Sequence, residues 1–262
     1  MEDLKYGMPR LLELQGIEEN VKLCSDLGLD FVELNLNLPN CQPDIFNVQY
    51  LNLLQTTYNV GFTLHLPEDL DIGHFNRHIR EANLKIIEES IGVADRLGIK
   101  VLNLHLNKGV HFTLPDKKVE LYESYKSVYL ENVRASKEAI EEYLEGTSVL
   151  IAIENTGLLN RGYIQEAMEI LLENERFILT WDIGHDYLYK QVDTSFVLNH
   201  LERVKHVHLH DAKLNNDHLQ LNLGEVNWKE KLKLVKANAP TVVIEVKTKE
   251  ALIKSVTELK QM

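Results

Sequence analysis

Short apolar runs alternate with longer segments of helical periodicity along the whole chain. Eight runs predict buried strands, at 4–8, 31–35, 62–65, 101–105, 149–153, 177–182, 204–210 and 241–244. In the segments between them, apolar residues recur every three or four positions, which indicates amphipathic helices. These helices are expected over 16–27, 47–58, 79–97, 117–144, 163–172 and 194–203, with two more that begin at Trp228 and Lys249.

The strict alternation of buried strands and helices predicts a parallel sheet. Eight strand–helix units in 262 residues fit one (β/α)8 barrel, or TIM barrel, and no break in composition divides the chain. We therefore expect an α/β protein with a single domain over residues 1–262. A doubly wound open sheet is the alternative, but no Gly-x-Gly-x-x-Gly motif follows any predicted strand.

Two connections between the predicted elements are expected to be loops. Residues 107–115, with Gly109 and Pro115, are too many for a tight turn and are expected to form a loop that can act as a lid. Residues 215–218 are expected to form a second loop, after the seventh strand.

The composition narrows the classes of function. The formal net charge is −12, from 28 Lys and Arg against 40 Asp and Glu, and no basic cluster stands out. Because nucleic acids are bound largely through basic side chains, this charge argues against a nucleic-acid partner. No apolar run is long enough to predict a membrane span, and the acidic N-terminus does not resemble a secretory signal. Cys24 and Cys41 are too few for a disulfide framework, so we expect a reducing cytoplasm.

Polar side chains capable of binding a metal end four successive predicted strands, the fifth to the eighth. They are Glu154, Asp182, His208 and Glu245. In a TIM barrel these ends meet at one face, where three carboxylates would repel one another unless a cation neutralised them. Their oxygen and nitrogen atoms suit Mn²⁺, Mg²⁺, Co²⁺, Zn²⁺ or Fe²⁺. The sequence therefore predicts a divalent-metal site at this face.

Further histidines belong to the same face. His65 and His105 end the third and fourth strands, and His185 follows Asp182 by three residues. We expect each to contact the metal or the substrate, or to support a group that does. His206 is expected to lie outside the site, and at least one of His206 and His210 is expected to be a packing or surface residue.

These residues resemble the xylose isomerase-like TIM-barrel superfamily, which contains sugar isomerases and epimerases and endonuclease IV. The resemblance covers nearly the whole chain and is carried by Leu64-His65-Leu66-Pro67, Asn103-Leu104-His105, Ile153-Glu154-Asn155, Asp182-Ile183-Gly184-His185, His206-Val207-His208-Leu209-His210-Asp211 and Leu223-Gly224-Glu225. Each motif alone is weakly specific, whereas all of them in this order are strongly specific.

The resemblance to the epimerase branch implies the chemistry of the site. Glu154, Asp182, His208 and Glu245 would hold one metal ion, and Glu154 and Glu245 would also be the acid–base pair that moves a proton through a metal-bound enediolate. His185 would hold a substrate oxygen, together with His65 and His105.

Two substrate-binding residues are also implied by the resemblance. Glu33 would lie at the mouth of the site, as an acid does in the isomerases. Lys213 would take the place of the arginine that the family often has after the seventh strand. The substrate would be a sugar or a sugar phosphate.

The alternative function is an endonuclease IV-like zinc phosphodiesterase that cleaves DNA at abasic sites. Its three zinc ions would be held in part by His65, His105, His185 and His218. The loop after the seventh strand fits that pattern imperfectly, because His218 and Gln220 stand where the family has an acid and a histidine. A third class is a barrel that has lost catalysis and only binds a sugar or a partner. The resemblance also implies that the protein can form a homo-oligomer.

Overall fold

Eight parallel strands close into a barrel in the computed structural model, which describes residues 4–238 and 241–261. They are β1 (Lys5–Pro9), β2 (Phe31–Asn35), β3 (Gly61–His65), β4 (Val101–His105), β5 (Leu150–Glu154), β6 (Phe177–Asp182), β7 (Val204–Leu209) and β8 (Thr241–Ile244). Each strand pairs with its neighbours in chain order, and β8 pairs with β1 to complete the ring. The predicted (β/α)8 fold is confirmed.

Helices connect the barrel strands. They are α1 (Ile17–Asp26), α2 (Val48–Tyr58), α3 (Arg77–Leu97), α4 (Leu121–Ser124), α5 (Lys126–Leu144), α6 (Gly162–Leu172), α7 (Ile183–Leu188), α8 (Thr194–Asn199), α9 (Trp228–Val235) and α10 (Lys249–Leu259). The side chains of Asn47, Asn76 and Thr248 accept a backbone N–H at the start of α2, α3 and α10. Gly98 ends α3 in the left-handed conformation. The helix expected over 194–203 is split into α8 and a short 3₁₀ turn.

The connection after β4 differs from the expected loop and long helix. His111–Thr113 pairs with Lys118–Glu120 as an antiparallel hairpin, so part of the loop expected over 107–115 is a strand. The helix expected over 117–144 begins only after this hairpin, because the backbone groups of its first residues bond to the facing strand. It is also interrupted at Tyr125, whose φ of −119° and ψ of 42° are not helical.

A second hairpin follows β7, where a loop over 215–218 was expected. It consists of Asp211–Lys213 and Asn216–Leu219, which pair antiparallel. On the neighbouring strand, α7 follows β6 without a loop, since the side chain of Asp182 accepts the backbone N–H of His185 at 2.6 Å and starts the helix.

The interior of this barrel contains several polar side chains, whereas the inward-facing side chains of TIM barrels are mostly bulky and branched. Thr63 donates to Glu33 at 2.9 Å, and Thr180 donates to Asn103 at 2.6 Å. Nε2 of His206 lies 3.1 Å from Oε2 of Glu33. All of these polar side chains are buried. The apolar core lies mainly between the barrel and the helices. Polar groups therefore extend from the barrel interior up to the strand ends.

Two further expectations concern membrane-spanning segments and disulfide bonds. Among the described helices, none combines the length and the apolar character that a bilayer-spanning segment needs. Cys24 and Cys41 are both free and buried, so no disulfide joins them.

Candidate metal centre and active site

Side chains from the ends of β5 to β8 converge at the carboxyl face of the barrel. Nδ1 of His208 lies 3.3 Å from Oε2 of Glu154, 3.9 Å from Oδ2 of Asp182 and 3.1 Å from Oε2 of Glu245. Glu154, Asp182 and His208 are buried, and the side chain of Glu245 is 15% exposed. The structure thus brings together the four residues expected at a metal site.

Several polar atoms in this cluster lack the hydrogen bonds that buried atoms normally make. Oδ2 of Asp182, Nδ1 of His208 and Oε2 of Glu245 are buried without a hydrogen-bond partner in the described part of the chain. One ligand atom from each of these residues lies within 4.8 Å of the others. The two carboxylate oxygens face imidazole nitrogens at 2.9–3.9 Å without making hydrogen bonds, and a cation bound between these atoms would satisfy them. Ligand atoms about 2.1 Å from one ion are about 3.0–3.5 Å apart, so the residues fit a divalent metal.

Burial and neighbouring charges have opposite effects on the pKa values in the cluster. Burial lowers the pKa of His208, but Glu154 and Glu33 raise it by more, so that it lies well above the usual histidine value. Burial raises the pKa of Glu245, and His208 lowers it by more, to well below the usual value. A metal ion that binds the imidazole must displace any proton on the ligating nitrogen.

Glu154 is the centre of a second group of possible ligands. Its Oε2 lies 2.9 Å from Nε2 of His105 and 3.6 Å from Nε2 of His65, and it accepts a hydrogen bond from Asn103. Burial lowers the pKa of His65, but the hydrogen bond to Glu154 raises it to about 9 overall. His65, His105 and Glu154 also satisfy the geometry of a metal site.

A third group of histidines surrounds Asp182. His185 Nδ1 lies 2.9 Å from Oδ2 of Asp182, and His210 Nε2 lies 3.1 Å from its Oδ1. The rings of His210 and His218 are stacked at 4.3 Å, and Nε2 of His218 lies 3.4 Å from Oε1 of Glu245. The sequence left the place of His210 open, although its alternation with His208 indicates that both face the same way.

Two expected substrate-binding residues lie elsewhere than predicted. Glu33 is not at the mouth, because its place on β2 puts it one layer deeper, where its Oε1 is 3.0 Å from Nε2 of His208. Its side chain is only 4% exposed and also contacts His206, which lies beneath the site rather than on the surface. Lys213 is exposed on the second hairpin and does not line the pocket. Lys247, which sequence reasoning missed, lies there instead, just after β8.

The metal pocket opens above the cluster and has a volume of about 350 Å³. It is lined by His65, Glu68, His105, Glu154, Thr156, His185, Tyr189, His218, Glu245 and Lys247. This size is in the range of small-molecule sites, about 300–1,000 Å³.

The sequence of this chain is similar to a protein-family model and to a known protein. Residues 21–261 match a family model described as xylose isomerase-like TIM barrel. An uncharacterized protein of Methanocaldococcus jannaschii is 27% identical over 230 residues, which are 86% of this chain and 82% of that protein.

Several solved structures share the fold. A D-tagatose 3-epimerase-like protein superposes with a TM-score of 0.79 at 24% identity and covers 98% of this chain and 96% of its own. The 3-keto-D-glucoside 4-epimerase from E. coli has a TM-score of 0.78 at 16% identity and covers 99% and 100%. A structure of the IOLI protein with a bound zinc atom has a TM-score of 0.71 at 14% identity and covers 98% and 94%.

Proposed function

The chain belongs to the xylose isomerase-like TIM-barrel family, and on that premise we propose that it is a divalent-metal-dependent sugar isomerase or epimerase. The observation that carries the proposal is the position of two glutamates: Glu154 and Glu245 each hold one carboxylate oxygen within 3.3 Å of Nδ1 of His208. Two proteins of the same fold are named as sugar epimerases or as similar to one, which supports this reaction class.

The proposed metal ligands are Glu154, Asp182, His208 and Glu245. Their three carboxylates and one imidazole suit Mn²⁺, Zn²⁺, Co²⁺ or Mg²⁺. A divalent ion bound there would supply Lewis-acid polarisation of a ketose carbonyl and its neighbouring hydroxyl. A protein of the same fold, the IOLI protein, is described with a bound zinc atom, which supports metal binding by this fold.

The two glutamates are the proposed acid–base pair. One removes the proton from the carbon beside the ketose carbonyl, and the other returns a proton to the enediolate that results. Each has a histidine beside its second oxygen. Oε1 of Glu154 is 3.5 Å from Nδ1 of His185, and Oε1 of Glu245 is 3.4 Å from Nε2 of His218. These histidines can pass protons between the glutamates and the solvent in the pocket.

The remaining polar groups of the pocket would position the sugar. His65, His105 and His185 line it, so a bound sugar would contact their rings. Lys247 takes the substrate-binding role that was expected of Lys213, since its Nζ lies 4.0 Å from Oε1 of Glu245 at the mouth.

Hydrogen exchange into ketoses tests the proposal. We would incubate the protein and Mn²⁺ in deuterated water with a panel of ketoses and ketose phosphates, and follow loss of the carbon-bound proton by NMR. General acid–base catalysis contributes about 10²- to 10⁴-fold. We therefore expect Glu154→Gln and Glu245→Gln to slow exchange by at least 100-fold while circular dichroism stays unchanged.

Glu131→Gln is the matched control, because this glutamate is exposed on α5 and far in sequence from the strand ends. Full activity in both Glu154→Gln and Glu245→Gln would overturn the two-glutamate mechanism. Metal analysis should give about one ion per chain. No exchange with any ketose, together with incision of abasic-site DNA at low salt, would favour the endonuclease IV-like alternative.

A further inference from the structure

A second pocket opens directly beside the metal pocket. This outer pocket has a volume of about 490 Å³ and shares Glu68, His105, Thr156 and Tyr189 with the metal pocket. Because the metal pocket alone is in the range of small-molecule sites, the outer pocket adds room for a second unit of similar size. The two adjoining pockets together have more volume than a single monosaccharide needs.

Tyr189 stands at the boundary between the two pockets and is fixed there. Its side chain is 45% exposed, and its ring lies so close to Gly157 that a Cβ on this residue would overlap it. Gly157 also has φ of 75°, a conformation that favours glycine. The carboxylate of Asp193 accepts the backbone N–H of Gly157 at 2.6 Å and of Leu159 at 2.8 Å, which holds the loop beneath the ring. An immobilised, half-exposed aromatic ring is a surface on which the C–H face of a sugar can pack.

The charges around the outer pocket do not favour an anion. Arg161 is already paired with Glu120, with Nε 3.0 Å from Oε2 and Nη2 3.1 Å from Oε1. The hydroxyl of Tyr163 donates to the same carboxylate at 3.1 Å. Glu120 thus neutralises the guanidinium that would otherwise pair with a phosphate. Lys108 and Glu68 line the pocket with opposite charges.

Neutral polar groups remain available. The Asn160 side-chain carbonyl accepts from Arg161 at 3.1 Å, and its NH₂ group makes no hydrogen bond within residues 4–238 and 241–261. The hydroxyl of Thr156 likewise bonds to no described residue. An amide NH₂ and a hydroxyl can serve the alternating donors and acceptors of a sugar.

We propose that the outer pocket binds an uncharged sugar unit joined to the reacting ketose, so that the substrate is a glycosylated ketose rather than a free or phosphorylated monosaccharide. This inference rests on the proposed function. Tyr189 packs against the second unit, and Asn160 and Thr156 contact its hydroxyls.

The test compares D-fructose, fructose 6-phosphate and the glucosyl-fructoses maltulose, leucrose and isomaltulose as probes. In deuterated water with Mn²⁺, at least one glucosyl-fructose should exchange with kcat/KM at least ten-fold above that of fructose. Asn160→Trp fills the outer pocket and should lower this ratio to within two-fold of one. Asn52→Trp, which adds the same side chain on the exposed face of α2, should leave both rates unchanged.

Other outcomes separate the two proposals. Exchange of fructose without any preference for the disaccharides overturns the inference but leaves the proposed function standing, and preference for fructose 6-phosphate points to an anion site instead. If no sugar exchanges, the proposed function fails. Saturation-transfer NMR then decides the inference alone, since glucosyl protons should show contact with the protein, and this contact should be lost in Asn160→Trp. No such contact overturns it.

Discussion

Glu33 should control how tightly the site binds metal, although it touches no substrate in the proposed mechanism. Its Oε1 lies 3.0 Å from Nε2 of His208, and its Oε2 accepts from Thr63 at 2.9 Å. A carboxylate beside Nε2 favours the tautomer protonated there, which leaves the lone pair of Nδ1 facing Glu154 and Glu245. Glu33→Gln keeps the size but replaces one oxygen with a donor.

The magnitude follows from these contacts. In the variant, the amide NH₂ group must face either His208 or the side chains of Thr63 and His206. In either orientation it meets another hydrogen-bond donor, unless the imidazole ring rotates. Losing a partner of this kind costs about 10- to 100-fold in metal affinity, which corresponds to about 1.4–2.7 kcal/mol.

The assay is competition for Zn²⁺ against a fluorescent chelator, which reads affinity without any turnover. Glu33→Gln should bind 10- to 100-fold more weakly, and Glu131→Gln should bind like the wild type. If Glu33→Gln does not fold, Thr63→Val removes the hydroxyl that holds the same carboxylate and should weaken binding by a smaller factor. Affinity within two-fold of wild type in folded Glu33→Gln would refute the reasoning.

Three further predictions concern stability. Removal of metal by EDTA should lower Tm by about 5–10 °C relative to protein with metal at about 100 times Kd, since such binding adds about 2.7 kcal/mol; an unchanged Tm would argue against a bound ion. In Gly184→Ala the new Cβ overlaps the ring of His210, which contacts Asp182, so calorimetry should show a loss of about 1–3 kcal/mol. Arg161 lowers the pKa of Glu120 in the folded state, so their pair stabilises fully above the ordinary Glu pKa of about 4.3, and this stability is lost as pH falls through the lowered pKa. Urea unfolding should therefore show a difference between Glu120→Gln and wild type near pH 7 that shrinks as the pH falls below about 4.3.

The barrel and its four strand-end residues could be predicted because the signals for them lie in short stretches of the sequence. A buried strand that ends in Glu154 or Asp182 conflicts with its surroundings, and only a shared polar centre resolves the conflict. The eightfold alternation of strand and helix then places that centre at one face.

Depth within the barrel could not be predicted in the same way. Glu33 alternates correctly with its neighbours on β2, but the stagger of the strands decides whether it reaches the mouth or the layer below. The hairpins were missed because a three-residue strand carries too little periodicity to be recognised. The hairpin after β7 places Lys213 on the surface. Lys247, rather than Lys213, therefore lines the metal pocket.

The pairing of β8 with β1 has a consequence for how the protein is made. On the ribosome, the chain emerges in order, and β8 is the last barrel strand to appear. Its pairing with β1, with Thr241 opposite Lys5, closes the ring, and the next residue after it is Glu245. Ring closure and arrival of the fourth proposed ligand are therefore one event. A nascent chain that stalls before β8 has neither a closed barrel nor a complete ligand set, so metal capture would follow the synthesis of β8.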